Sequence, residues 1–196
     1  MRKNLITVPS CAEHNNDKSN DDAFLISILV MNHGANEIGQ NQFKAKVSKS
    51  FEIDTTLPKQ FRVNLTEVVV EDDKGPFKTY AMTGDVDRFN DVLDKIGRAL
   101  YFHYYKYERK WLGKIKVVNE FMHATGGEKA DEENKFTEFL KQGTPRFFEK
   151  VPEYGANKEV FTFKVLVVGG MDVVFMRLRF YGNANVLLMF HNRQTN

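Results

Sequence analysis

The chain has 196 residues, of which 28 are basic and 26 acidic, so its net charge of +2 is close to neutral. A hydrophobic content of 42% is too high for a disordered chain, and the length favours a single domain over residues 1–196. The single cysteine excludes a disulfide framework and an all-cysteine zinc site within one chain. No apolar run reaches the ~18 residues that a membrane span needs, and Met1–Ser10 lacks the apolar core of a signal peptide. We therefore expect an intracellular, cytoplasmic protein without a membrane partner.

Two helices are predicted in the first quarter of the chain. Asn20 is a typical helix N-cap, and Gly34 can end the same helix in a left-handed conformation. A second helix is predicted over 37–51, where apolar residues recur every four positions. Residues 1–51 can form a subregion, because the weakest boundary in the chain follows at 52–60.

A hairpin and the longest helix come next. Apolar and polar residues alternate on both sides of the Asp72–Pro76 turn, which predicts a β-hairpin over 61–83. Asp85 is a suitable N-cap for a helix over 86–110, whose apolar residues keep a period of 3.6. The apolar segment Leu112–Met122 then predicts a strand.

The remaining third predicts a loop, a short helix and three strands. Ala124–Glu133 has the glycines and mixed charges of a loop, and a helix is predicted over 131–141 with Phe136, Phe139 and Leu140 facing the core. The chain as a whole predicts an α+β fold, in which N-terminal helices and a long central helix pack on a mostly antiparallel sheet that ends in a β-meander. The predicted meander strands are Val160–Val168, Met171–Tyr181 and Val186–His191.

Cys11 and His14 have a C-x-x-H spacing, which is the clearest chemical pattern in the sequence. One turn of chain can bring the thiolate and the imidazole to the same metal ion, so the pair can supply half of a tetrahedral zinc site. The alternative is structural: Cys11 packs as a small apolar residue, and His14 caps the helix that follows. The sequence predicts no cofactor other than one zinc or another divalent metal ion.

The residues around this pair resemble the second half of an HNH endonuclease motif. A predicted strand at Leu5–Pro9, a ligand pair and the start of a helix follow one another in the order of that motif, over residues 4–22. The resemblance implies a ββα unit around one divalent metal ion, with the cysteine and the histidine as ligands and Lys18 near nucleic acid. The matching residues are Asn4, Leu5, Cys11, His14, Asn15 and Lys18.

The upstream half of the HNH motif has no counterpart in this sequence. In that family an earlier C-x-x-C accompanies the metal site, and a histidine acts as general base on the attacking water. Only three residues precede Asn4 here. The resemblance therefore implies a truncated or degenerate member without a catalytic residue of its own, which would cut DNA only if another part of the fold or a second chain supplied the missing half-site.

The charged residues are unevenly distributed along the chain. Residues 51–94 carry ten acidic and five basic side chains, whereas residues 95–116 carry seven basic and one acidic side chain, a net charge of +6. In the basic segment, defined here as 95–116, the cations alternate with tyrosines that can stack on unpaired bases, which favours single-stranded DNA or RNA as a partner. The predicted contacts are Arg98, Lys106, Arg109, Lys110, Trp111, Lys114 and Lys116.

Two alternatives stay open for the basic segment and for the function. The acidic and basic blocks could pair with each other inside the fold. On a helix, Ile96, Leu100, Tyr104 and Tyr107 also lie on one side, so the aromatic residues could belong to the core. The sequence thus predicts a nucleic-acid-associated protein or, alternatively, a non-enzymatic protein-binding module such as an inhibitor or an accessory subunit.

Overall fold

The computed structural model confirms an α+β fold, with four α-helices and two antiparallel sheets in the part of the chain that it describes. The described residues are 18–32, 34–48, 64–72, 75–83, 86–105, 113, 115–124, 127–169 and 173–191. The helices are α1 (Lys18–Met31), α2 (Glu37–Gln42), α3 (Val86–Tyr104) and α4 (Gly127–Phe147), and a π-helical turn (Phe43–Ser48) follows α2. The strands are β1 (Asn64–Asp72), β2 (Gly75–Thr83), β3 (Ile115–Asn119), β4 (Phe161–Val168), β5 (Val173–Phe180) and β6 (Ala184–His191).

The strands form one hairpin and one four-stranded sheet. β1 and β2 pair over their full length, which confirms the predicted hairpin. The second sheet has the order β3-β6-β5-β4, and all its neighbours are antiparallel. The last three strands are consecutive neighbours, so the predicted C-terminal meander is confirmed. β3 joins this meander along β6 and forms one edge of the sheet.

Helices α1 and α3 cover one face of the four-stranded sheet. Apolar side chains that alternate along β5 and β6 point to this face and meet the apolar sides of both helices. Burying side chains of this size contributes about 1.5–3 kcal/mol each. The buried residues include Phe24, Leu25 and Leu29 of α1, Phe89, Leu93 and Leu100 of α3, and Met176, Leu178, Leu188 and Phe190 of the sheet.

Helix α4 covers the opposite face of the sheet. Leu140 and the buried Phe148, which follows the helix, pack against Val118 of the edge strand β3 and Leu187 of the neighbouring strand β6. The sheet therefore lies between two helical layers. This arrangement explains why β6 carries buried residues on both of its faces.

Asp21 connects α1 to α3 through two ion pairs. Its carboxylate oxygens lie 3.0 Å from Arg88 Nη2 and 3.1 Å from Lys95 Nζ. Burial of Asp21 acts to raise its pKa, but the hydrogen bonds and charges of Lys95 and Arg88 outweigh that effect and lower the pKa. Lys95, the first residue of the basic segment, is thus partnered inside the fold.

Several helix boundaries differ from the sequence prediction. Helix α1 begins at Lys18, before the predicted N-cap Asn20. Helical structure continues from α2 to Ser48, within the predicted range 37–51, although its second part is a π-turn. Helix α3 ends at Tyr104, and the rest of the predicted range to 110 lies outside the described residues apart from Tyr105, which is not helical.

The prediction of a loop over Ala124–Glu133 is wrong, because α4 begins at Gly127. The predicted end near residue 141 is also wrong, because α4 continues through Pro145 to Phe147. Thr144 is buried within this last turn. Packing against the sheet therefore overrides the weak helix propensity of glycine, on which the predicted loop relied.

The prediction that Phe136 and Phe139 face the core is also wrong. Phe139 is 73% exposed and Phe136 is 41% exposed, whereas Leu140 is half-buried against the sheet. The helix therefore faces the sheet with Leu140 and Thr144 and leaves the Phe139 ring largely exposed to solvent.

Gly97 brings α3 close to the sheet. A Cβ atom at this position would lie 2.6 Å from Leu188 Cδ1 and 2.8 Å from Phe190 Cζ. Both of these side chains are completely buried, so neither has space to move away. The separation between α3 and β6 therefore depends on glycine at position 97.

We expect Gly97→Val to lower the free energy of unfolding by about 1–3 kcal/mol, because the added methyl groups overpack the core. Urea denaturation measures this loss. Asp91→Val is the matched control, since Asp91 is exposed on the same helix and substitution there should change stability by no more than about 0.5 kcal/mol. Equal effects at the two positions would contradict the close approach at Gly97.

Candidate nucleic-acid interface

The predicted metal ligands Cys11 and His14 lie outside the described residues. Lys18 is the first residue of α1, and its side chain is likewise not described. Within the described ranges, no cluster of three or more histidine, cysteine, aspartate or glutamate side chains is arranged to hold a metal ion. The zinc half-site therefore remains a prediction from the sequence.

Arg98 makes several contacts within the chain. Its Nε atom donates to both carboxylate oxygens of Asp94, at 2.9 and 2.8 Å, and its Nη2 atom donates to the carbonyl oxygen of Gly113 at 3.0 Å. The guanidinium group also lies 5.9 Å from the centre of the Phe190 ring. Arg98 thus connects α3 to Gly113, two residues before β3 begins, and it pairs with the last residue of the acidic block.

Lys116 lies on the edge strand β3 and contacts α4. Its Nζ atom is 4.1 Å from the centre of the Phe136 ring, which is within the range of a cation–π interaction. Lys116 is nevertheless exposed. Its stem covers part of an aromatic ring, and its charge stays at the surface, where it can reach a phosphate.

The remaining predicted contacts lie outside the described residues, between the end of α3 and the start of β3. Their assignment as nucleic-acid contacts stays a prediction. These residues are Lys106, Arg109, Lys110, Trp111 and Lys114.

Two tyrosine rings form a partly exposed surface at the end of α3, and we call Tyr104 and Tyr154 the tyrosine platform. Their ring centres are 4.7 Å apart, and their exposures are 41% and 37%. Phe163 of β4 lies beneath both rings, 5.3 Å from Tyr104 and 5.5 Å from Tyr154. The basic segment, 95–116, includes Tyr104 and continues past the end of α3 in the sequence.

The backbone fixes the position of Tyr154. Its N–H and its C=O both hydrogen-bond to Phe163, at 2.9 Å each, so the residue forms an isolated bridge to the edge strand β4. Sequence reasoning missed Tyr154, because it lies in an irregular segment far along the chain from Tyr104. Tyr104 itself was predicted to lie either in the basic segment or in the core, and it contacts both the core and solvent.

A buried ion pair lies on the other face of the sheet. Arg177 Nη2 of β5 donates to Glu120 Oε2 at 2.9 Å, and the Glu120 side chain is only 1% exposed. Among the described residues, Glu120 Oε1 and Arg177 Nε have no hydrogen-bond partner. Burial raises the pKa of Glu120, and the nearby charges of Arg177 and Lys141 counteract only part of this effect. The sequence signal for this pair was limited to the strand β5, where Arg177 and Arg179 occupy alternate positions of an otherwise apolar strand.

Comparison of the chain with family models, with curated proteins and with solved structures finds no match. The function is therefore argued from the residues of this chain.

The raised pKa of Glu120 makes the stability of the protein depend on pH. Because the pKa in the folded state lies above the ordinary value of 4.5, stabilisation by the protonated group is complete below that value and is lost as the pH rises through the folded pKa. We expect the unfolding free energy of the native chain, relative to Glu120→Gln, to increase as the pH falls from neutral to about 4.5. Urea denaturation across this range measures the difference.

Asp21→Asn is the matched control with the opposite sign. The pKa of Asp21 is lowered from 3.8, so its stabilisation is present above that value and is lost as the pH falls further. The difference between the native chain and Asp21→Asn should be flat between neutral pH and 4.5 and should shrink only in more acidic solution. Parallel stability curves for the native chain and Glu120→Gln would contradict the assignment of Glu120.

Proposed function

We propose that this chain is a nucleic-acid-associated protein, similar to a truncated or degenerate HNH endonuclease, that binds single-stranded nucleic acid at the end of α3. The observation that carries the proposal is the tyrosine platform, where Tyr104 and Tyr154 expose neighbouring aromatic rings. Aromatic faces accept unpaired bases by stacking, and each stacked base contributes about 1–3 kcal/mol. The platform therefore offers contacts to bases without a requirement for one sequence.

The charge that follows Tyr104 in the sequence supports the same function. Two of the seven basic residues in the segment 95–116, Lys95 and Arg98, form ion pairs inside the fold. The other five cations are accompanied by one acidic residue, Glu108. Phosphate groups are attracted to such a cluster, and this attraction weakens as salt is added. Stacking on the platform and phosphate contacts along the segment together account for affinity to a single strand.

The HNH resemblance adds a metal to this proposal but no complete catalytic site. Cys11 and His14 would contribute two ligands to a zinc ion or another divalent ion, and such an ion would stabilise charge on a phosphate group. The HNH-like residues, 4–22, include neither the family's general base nor its upstream C-x-x-C. Binding is therefore the function proposed for this chain alone, and cleavage is proposed only with a half-site from elsewhere.

A second function, protein binding without catalysis, is favoured by a different surface. Phe139 and Phe147 of α4 are 73% and 71% exposed. Exposed aromatic groups of this size are typical of protein interfaces. If no oligonucleotide binds at low salt, protein binding is the better proposal for the function of this chain.

Tyr104→Ala should weaken binding to a single-stranded oligonucleotide by about 5- to 100-fold, which corresponds to the loss of one stacked base. Fluorescence anisotropy at two salt concentrations measures the affinity. Tyr104→Phe is the matched control, because it keeps the aromatic ring and should bind as the native chain does. The melting temperature of each variant is measured alongside, since Tyr104 also contacts Phe163.

Charge reversal in the basic segment separates the two explanations of its charge. If phosphate groups bind there, Lys106→Glu combined with Lys110→Glu leaves melting unchanged, weakens binding and makes the salt dependence shallower. If the segment pairs within the fold, the same variant loses only about 0–1 kcal/mol of stability per exposed pair and binds equally well. Unchanged binding in this variant and in Tyr104→Ala contradicts the proposed function.

Zinc content tests the metal part of the proposal. We expect the purified native chain to contain zinc near one equivalent and Cys11→Ser to lose most of it, because the thiolate is one of the proposed ligands. Elemental analysis after dialysis measures the metal. Ser10→Ala is the control, because it alters the neighbouring residue without removing a ligand. Equal zinc in all three proteins, or none in any of them, would rule out the half-site.

A further inference from the structure

Helix α4 has a row of exposed residues away from its buried positions, although the Phe136 ring in this row also contacts Lys116 of β3. The row, which we call the α4 seam, contains two exposed phenylalanines at its centre, a glutamate at one end and two basic residues at the other. All of its members except the half-buried Gly143 are exposed. The α4 seam consists of Glu132, Phe136, Phe139, Gly143, Arg146 and Lys150.

The spacing within the α4 seam is that of a helix-pairing surface. Successive members are four, three, four, three and four residues apart, and alternation of three and four keeps side chains on one line along a helix. Lys150 extends the line into the turn after α4. This series reads the same from either end. A surface with this property can pair with an antiparallel copy of itself, and each seam residue then meets another seam residue.

We propose that the α4 seam binds a second copy of this chain, with the two α4 helices antiparallel around a two-fold axis. In this arrangement Phe139 lies opposite Gly143 of the second copy. A Cβ atom added at Gly143 would meet only the Phe147 ring, at 3.9 Å, so the backbone there is open to a ring from outside. The phenylalanine of each copy fills the space beside the glycine of the other.

Charge complementarity supports the antiparallel direction. Pairing places Glu132 next to Arg146 and Lys150 of the second copy, and the two-fold axis repeats these contacts at the other end. It also places Phe136 opposite Arg146 of the second copy, where a cation–π contact can form. A parallel arrangement would instead bring Glu132 to Glu132 and Arg146 to Arg146, and like charges across an interface are unfavourable.

The size of the contact sets its expected strength. The helical part of the α4 seam runs over 15 residues from Glu132 to Arg146, or about 22 Å at the rise of an α-helix. A single helix pair of this length is at the small end of specific protein interfaces. We therefore expect a reversible dimer with micromolar affinity. The interface is separate from the tyrosine platform, so this proposal does not depend on nucleic-acid binding.

Sedimentation velocity of the full chain without nucleic acid, from micromolar to near-millimolar concentration, tests the proposal. The native chain should form dimers. Glu132→Arg alone, and Arg146→Glu combined with Lys150→Glu, should each weaken dimerisation by about tenfold or more, because like charges then meet at both ends of the interface. An equimolar mixture of these two variants should dimerise as the native chain does, because opposite charges then meet again.

Two further variants complete the test. Phe139→Asp should remain monomeric alone and in every mixture, since it removes the central contact. Glu133→Arg, the control, changes the neighbouring exposed residue outside the α4 seam and should dimerise normally. A native chain that stays monomeric, a Phe139→Asp variant that dimerises, or a mixture that does not recover would each overturn the proposal.

Discussion

The need to cover both faces of the four-stranded sheet governs the rest of this structure. β6 has buried residues on both faces, and Leu187 and Leu188, adjacent in sequence, belong to two different apolar clusters. A sheet of this kind is stable only when helices exclude water from each side. This requirement explains why α4 forms across residues with weak helix propensity, and it leaves the outer side of α4 free to carry residues that do not contribute to folding.

The internal ion pairs determine which charges remain available to partners. Asp21 neutralises two cations of α3, and Asp94 holds Arg98. One residue of the acidic block, Asp94, therefore pairs with one residue of the basic segment, Arg98. The cations of the basic segment that follow Arg98 in the chain are the ones proposed to bind phosphate. A net charge of +6 over the segment thus overstates the charge that an external anion would meet.

Local sequence patterns predicted much of the fold but little of its tertiary chemistry. The hairpin and the meander follow from alternation and turn residues, which depend on neighbours in the chain. The prediction failed at α4, because glycines were interpreted as part of a loop and phenylalanines as core, and contacts with the sheet decide both questions. The pairs Asp21–Lys95 and Glu120–Arg177 join residues 74 and 57 positions apart, so no local pattern indicates them. The candidate metal ligands were found by spacing alone, and Tyr154 gave no such signal.

The close approach at Gly97 also has a consequence for how this sequence can change. A larger residue at position 97 requires a smaller one at position 188 or 190, because all three share one closed volume. The effects of substitutions at these positions are therefore not additive. During evolution we expect the three positions to vary together. If the residue at position 97 became larger first, the intermediate sequence would encode a less stable protein. Gly97 thus limits the mutational routes open to the interface between α3 and the sheet.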